Sequence, residues 1–137
     1  MVRLVCDNEK FLCSDIELNK QTNYTFDTLT ELSQQNPENE YYFITGADMF
    51  LSLPKWYRAE ELMEKFKFIA IDREGSFEEK KEQFEKVLSL TNAVVVNIKT
   101  PEISSTMIRA AVKQGKSISA FVPEAVENYI KENGLYI

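Results

Sequence analysis

Three short apolar runs constrain this chain more than any other feature: Tyr41 to Thr45 (YYFIT), Phe68 to Ile71 (FIAI) and Ala93 to Ile98 (AVVVNI). None alternates cleanly between apolar and polar residues, so each would be buried on both faces, as in a parallel sheet. Stretches with helical periodicity separate them. Strands alternating with helices in this way specify an α/β fold, a mostly parallel sheet covered by helices on both faces.

The helical stretches carry their own punctuation. Thr25 stands as N-cap before a helix over Phe26 to Gln35, and Asn36-Pro37-Glu38-Asn39 breaks it. Pro54 opens a second helix, with Leu62, Met63 and Phe66 on its apolar face. Ser76 and Glu79 form a capping-box pattern ahead of Phe84, Val87 and Leu88. Met107, Ile108, Ala111 and Val112 mark a further helix, and Ala125, Val126, Tyr129 and Ile130 another; Gly115 and Gly134 fall where C-caps belong. Phe11 to Leu18 reads as a short extended segment.

At 137 residues the chain fits a single domain, 1–137, and 44% hydrophobic content supplies a core. A net charge of −6 argues against a nucleic-acid partner. It does not argue against a small anion held locally at a helix start. No apolar run is long enough to span a bilayer, and Met1 to Cys13 lacks the apolar core of a signal peptide, so a cytoplasmic setting is expected. Cys6 and Cys13 have neither a zinc nor a C-x-x-C spacing and are expected to be reduced and structural.

One end of the pattern reads as incomplete. Met1 to Cys6 has apolar residues at 1, 2, 4 and 5, as in the last turns of a helix. A doubly wound fold opens with a strand feeding a glycine-rich turn, yet the only glycines are at 46, 75, 115 and 134. The expected architecture is therefore an incomplete Rossmann-like sheet with its first strands missing.

Open parallel sheets bind ligands at the carboxyl ends of their strands. Asp48 follows YYFIT, Arg73 follows FIAI, and Ser104-Ser105-Thr106 follow AVVVNI, which places all three on one rim. Ser104, Ser105 and Thr106 at a helix start, with Arg109 one turn on, suit phosphate oxygens. They equally suit an N-cap followed by a solvated arginine. Asp48 in Gly46-Ala47-Asp48 fits either a ribose contact or a turn cap. Trp56, the single tryptophan, fits either an aromatic ligand beside free helix-start amides or a half-buried core position. Thr25 is open between cap and ligand contact. Arg73 is open between ligand contact and pairing with its acidic neighbours Asp72 and Glu74. Glu78-Glu79-Lys80-Lys81-Glu82 reads as a solvated face. With no histidine anywhere, Ser–His and Cys–His nucleophile pairs and histidine-based metal sites drop out. Phosphate positioning by orientation and charge is what remains.

Six segments occur in one order: Ser14-Asp15-Ile16-Glu17-Leu18; Tyr24-Thr25-Phe26-Asp27-Thr28-Leu29; Tyr42-Phe43-Ile44-Thr45-Gly46-Ala47-Asp48; Leu53-Pro54-Lys55-Trp56; Ile103-Ser104-Ser105-Thr106-x-Ile108-Arg109; and Val122-Pro123-x-x-Val126-x-x-Tyr129-Ile130. In this the chain resembles the bacterial nicotinate-nucleotide adenylyltransferases of the nucleotidyltransferase superfamily, from about Met1 to Tyr136. The resemblance implies joining nicotinate mononucleotide to the AMP part of ATP, with magnesium, to give nicotinate adenine dinucleotide and pyrophosphate in NAD synthesis. It implies Thr25, Trp56 and the Tyr57 backbone around the nicotinate ring, and Gly46 and Asp48 at the ribose-phosphate of the dinucleotide. Ser104, Ser105, Thr106 and Arg109 would face the ATP phosphates, and Arg73 the adenosine side.

The family opens with a strand and a G-G-x-F-D-P-x-H-x-G-H loop whose histidines steady the phosphates, and neither is found in these residues. The expectation is a C-terminal portion of such an enzyme, short of roughly 60 residues at about thirty per βαβ module. It holds no catalytic residue and no metal ligand, and is inactive alone. The strand YYFIT should then be an exposed edge inviting self-association. The competing expectation is a non-catalytic nucleotide-binding or interaction module completed by another chain. A third keeps the enzyme class with an amide substrate, nicotinamide mononucleotide.

Overall fold

The computed structural model describes residues 1–6, 10–73 and 75–137. They form two compact units, Ile16–Thr100 and the pair of segments Met1–Asp15 and Pro101–Ile137.

The larger unit is built on three parallel strands, β1 (Tyr42–Gly46), β2 (Lys67–Asp72) and β3 (Asn92–Asn97), in the order β1-β2-β3. Tyr42 to Gly46 pair with Lys67 to Ile71, and Lys67 to Asp72 pair with Asn92 to Asn97. This register aligns Phe43, Phe68 and Ala93 across one face and Ile44, Ile69 and Val94 across the other. Helices α1 (Thr25–Gln35), α2 (Ala47–Ser52), α3 (Ala59–Lys65), α4 (Ser76–Glu79) and α5 (Lys81–Leu88) complete the unit, with a turn of 3-10 helix over Leu53–Lys55.

The core follows from the register. Phe26, Leu29, Phe50, Leu53, Leu62, Met63, Phe84 and Val87 from the helical segments meet Phe68 and Ala70 of β2, with Phe43, Ala93 and Val95 packed at the margin. Phe50, Phe68 and Phe84 are fully buried. Truncating any one to alanine would cost about 3–5 kcal/mol through lost burial and the cavity left behind. This cluster covers only the Phe43–Phe68–Ala93 face. On the opposite face Ile44 is 64% and Val94 57% exposed, so the expectation of cover on both faces is corrected. The apolar runs were two-sided because β3 carries consecutive valines, but the helices of this unit all supply the same side.

In the smaller unit, α6 (Ser105–Lys113) and α7 (Glu124–Glu132) follow one another, with Ile118 and Ile130 buried. Gly115 (φ +66°) closes α6: its N–H reaches Val112 O and that of Lys116 reaches Ala111 O, both at 2.9 Å. Gly134 (φ +57°) stands just past the end of α7. Both glycines therefore occupy the left-handed position expected of a C-cap.

Several local expectations are corrected. Phe11 forms an isolated bridge, and Leu12 to Leu18 run as loop and turn rather than strand. Thr25 is the first residue of α1, with Tyr24 in the extended N-cap position. Pro54 lies inside the 3-10 turn, which continues the unforeseen helix α2; the next helix starts at Ala59. Ser76 is the first residue of α4, not its cap. Met1 to Cys6 contains a 3-10 turn over Val2–Leu4. The cysteines follow expectation: both are free thiols.

Candidate functional site

Where β1 ends, the chain passes directly into α2. Gly46 sits at the N-cap with extended backbone, and Ala47 is buried beneath it. Apart from its two chain neighbours, a Cβ on Gly46 would meet no atom within 4 Å, so packing does not demand glycine there; its bare backbone forms part of the wall of a depression. That depression, about 170 Å³, is lined by Gly46, Asp48, Met49, Ile71, Arg73 and Ser76 among others. Gly46, Asp48 and Arg73 are thus brought together at the carboxyl ends of β1 and β2. Asp48 is in the first turn of α2, where a negative charge is favoured, and its Oδ1 lies 3.0 Å from Lys80 Nζ. Lys80, in the charge run expected to be merely solvated, reaches across to this wall.

Asp72 underlies the same depression. Its side chain is fully buried at the end of β2, where Oδ1 accepts from the Ser76 N–H (3.0 Å) and Oγ (3.1 Å) and Oδ2 from the Phe77 N–H (2.9 Å). The carboxylate thereby satisfies the free amides that open α4, the task the sequence pattern gave to Ser76 and Glu79. Pairing of Arg73 with Glu74 concerns a residue outside those described. Arg73 itself is exposed and lines the depression.

A second cleft, about 340 Å³, adjoins the first through Met49, which lines both. Its walls include Asn23, Tyr24, Thr25, Trp56 and Tyr57. Thr25, Trp56 and Tyr57 are therefore brought together. The Tyr57 ring stacks on Tyr24 with centroids 4.3 Å apart and planes at 29°. Trp56 packs edge-on against Phe43 at 5.8 Å, and its Nε1 donates to Ser52 Oγ at 2.8 Å. It is half-buried and follows the 3-10 turn in extended conformation, so it does not stand at a helix start as the sequence suggested. The amides near it belong to a loop that ends at Arg58, the N-cap of α3.

In the smaller unit, Ser104 caps α6: its Oγ accepts from the Met107 N–H at 3.1 Å. Ser105 and Thr106 form the first turn, and Arg109 Nη2 lies 3.5 Å from Thr106 Oγ1. The shared helix face inferred from the spacing is present, and all four residues are exposed.

Tyr24, Met49 and Asp72 carry structural weight in these clefts that the sequence reading did not assign. Tyr24 had a signal, since it opens the Tyr-Thr-Phe-Asp-Thr-Leu segment. Met49 had none, because an apolar residue in an unforeseen helix looks like core. Among the described residues no group of three His, Cys, Asp or Glu could hold a metal ion. None of their helices is long and apolar enough to cross a membrane.

A family model described as Cytidylyltransferase-like matches residues 1–111. A protein of Lachnoclostridium phytofermentans named "Probable nicotinate-nucleotide adenylyltransferase" is 39% identical over 139 residues, spanning 97% of this chain and 68% of that protein. The solved structure of Plasmodium falciparum nicotinic acid mononucleotide adenylyltransferase complexed with NaAD superposes with a TM-score of 0.72 at 22% identity, covering 99% of this chain and 71% of that one. The same Plasmodium enzyme complexed with APC gives 0.72 at 21%, covering 98% and 71%.

Proposed function

We propose that this chain, which belongs to the cytidylyltransferase-like family and within it to the nicotinate-nucleotide adenylyltransferases, supplies the substrate-holding half of an adenylyl transfer in NAD biosynthesis. The reaction joins nicotinate mononucleotide to the AMP moiety of ATP and releases pyrophosphate. The observation that carries the reading is the identity of 39% across nearly the whole chain to a relative of that name. The two adjoining clefts support the assignment of parts.

In this reading the nicotinate ring enters the cleft of Thr25, Trp56 and Tyr57, where loop amides favour its carboxylate and the aromatic rings its face. Gly46 and Asp48 take the ribose-phosphate, and Arg73 lies toward the adenosine. Asp48 would exchange its ion pair with Lys80 for ribose hydroxyls, a small cost for so exposed a pair. Ser105, Thr106 and Arg109 meet the ATP phosphates, with Ser104 fixing the helix start. Magnesium would arrive on the triphosphate, since it retains water and prefers phosphate oxygens to an all-protein cage. Both substrates are soluble metabolites, which supports a cytoplasmic setting for the activity.

The 137 residues contain no histidine to steady the transferring phosphate, so the polypeptide by itself binds without turning over. The test has two arms. Calorimetric titration with nicotinate mononucleotide and with nicotinamide mononucleotide should show tighter binding of the acid; equal binding of the amide would overturn the substrate assignment. Incubation with ATP, magnesium and nicotinate mononucleotide should release no pyrophosphate above background, and turnover at ordinary enzyme rates would overturn the inactivity.

A second reading, a binding module completed by another polypeptide, draws on β1. Among the described residues it is an edge strand of the sheet, and its own Tyr42 and Ile44 are exposed. An unpaired apolar edge invites a strand from another chain, and a second copy is the partner always at hand.

A further inference from the structure

The residue after Tyr57 stands out for its backbone. Arg58 has φ 51° and ψ 43°, a left-handed conformation that a residue with a Cβ seldom adopts. Among the described residues Tyr136 is the other non-glycine with positive φ. Such a conformation persists when the surroundings over-determine it. Here they do: the Arg58 guanidinium sits over the Phe26 ring, its Cζ 4.0 Å from the centroid. Nε and Nη2 also donate to the two carboxylate oxygens of Glu61 at 2.7 and 2.6 Å.

We propose that Arg58 is a positioning residue for the aromatic cleft: gripped between Phe26 of α1 and Glu61 of α3, it holds the Trp56–Arg58 loop so that Tyr57 stays stacked on Tyr24 at the cleft wall. The geometry links both walls. Phe26 is two residues from Tyr24 and buried in the core, so the guanidinium ties the loop to the very helix whose start carries Tyr24 and Thr25. The fork is needed because it places its charge over the ring and makes two hydrogen bonds to one carboxylate at once. Lys65 also lies near this ring, at 5.6 Å, but as a point charge without the fork. Glu61, drawn below the usual carboxylate range first by its hydrogen bonds with Arg58, stays ionised to hold it.

The role of Arg58 deepens the reading of this cleft as the nicotinate site, and rests on that reading for its ligand. The test therefore has a readout that needs no ligand. In Arg58→Gly the backbone keeps its left-handed conformation without a Cβ penalty, while the grip is lost. Arg58→Lys keeps the charge without the fork, and Glu61→Gln leaves the arginine intact. In NMR spectra of ring-labelled protein, all three should shift the Tyr24 and Tyr57 ring protons toward unstacked values and leave Phe50 and Phe84 in place. Affinity for nicotinate mononucleotide should fall by roughly three- to tenfold, the scale for re-ordering one mobile side chain on binding. Unchanged Tyr24 and Tyr57 resonances in all three variants would overturn the role of Arg58. If the unsubstituted chain fails to bind nicotinate mononucleotide while the variants unstack the tyrosines, the positioning role stands and the ligand assignment falls.

Discussion

The carboxylate of Asp72 accepts the backbone N–H of Phe77 at 2.9 Å, five residues ahead, while its other oxygen takes both the N–H and hydroxyl of Ser76. This fully buried side chain closes the segment that carries Arg73 and joins β2 to α4. Asp72→Ala would strand two helix-start amides and should destabilise the chain by about 2–4 kcal/mol, the range for losing buried charge-assisted hydrogen bonds. Urea denaturation with an unchanged m-value checks it.

Ser104 and Arg109 separate capping from ligand binding. Ser104→Ala removes the hydrogen bond to the Met107 N–H and should cost about 1 kcal/mol of stability. Arg109 is exposed and makes one long contact with Thr106, so Arg109→Ala should change stability by no more than about 0.5 kcal/mol. It should nevertheless weaken ATP binding severalfold by calorimetry. Equal ATP affinity for Arg109→Ala and the unsubstituted chain would leave Arg109 a solvated side chain and nothing more.

Trp56 is the single tryptophan, so its fluorescence reports on one place. Nicotinate mononucleotide should change that emission saturably, as the ring lines the aromatic cleft and its Nε1 is held by Ser52. Ser52→Ala should loosen the indole and reduce affinity by a smaller factor than Trp56→Ala.

Two carboxylates give the acid side of the pH profile. Hydrogen bonds from Lys67 and Tyr42 lower the pKa of Glu40, and those from Arg58 lower that of Glu61. A depressed folded-state pKa means stability fully present above the ordinary carboxylate value and lost as pH falls through the lowered one. The double variant Glu40→Gln, Glu61→Gln should therefore show a shallower fall in Tm on acidification than the parent. On the alkaline side, Glu40 raises the pKa of Lys67, so that contribution is present below the ordinary lysine value and fades as pH rises through the lifted one.

Self-association should depend on β1 and the open sheet face. Ile44→Lys places a charge at the exposed edge and should convert any dimer or larger species to monomer in sedimentation velocity. A monomer at high concentration before the substitution would remove this edge as a docking surface.

Much of the candidate site's geometry was legible as spacing. Ser105 and Thr106 share a helix face with Arg109 because three and four residues make a turn, and Gly46 and Asp48 lie at and just past the end of a strand whose apolar run is unmistakable. The alignment of Thr25 with Trp56 and Tyr57 came from the ordered segments rather than from periodicity, since no local rule links residues thirty positions apart. Caps were misread for a related reason. A Thr or Ser beside a helix start satisfies the pattern, yet Thr25 and Ser76 lie one residue inside their helices, and the amides of α4 were taken by Asp72 from the preceding strand.

The sequence by itself determined the parallel α/β character, the strands and the two C-terminal helices, because compact apolar runs alternating with helical periodicity and glycine at left-handed positions are local demands. It also determined that these 137 residues contribute no imidazole. Only the tertiary structure decided which sheet face the helices of the larger unit cover, that Asp48 meets Lys80, and that Arg58 is gripped between Phe26 and Glu61. Those outcomes depend on register and on side chains meeting across elements, where the preference of any one residue is weak and the sum of contacts chooses.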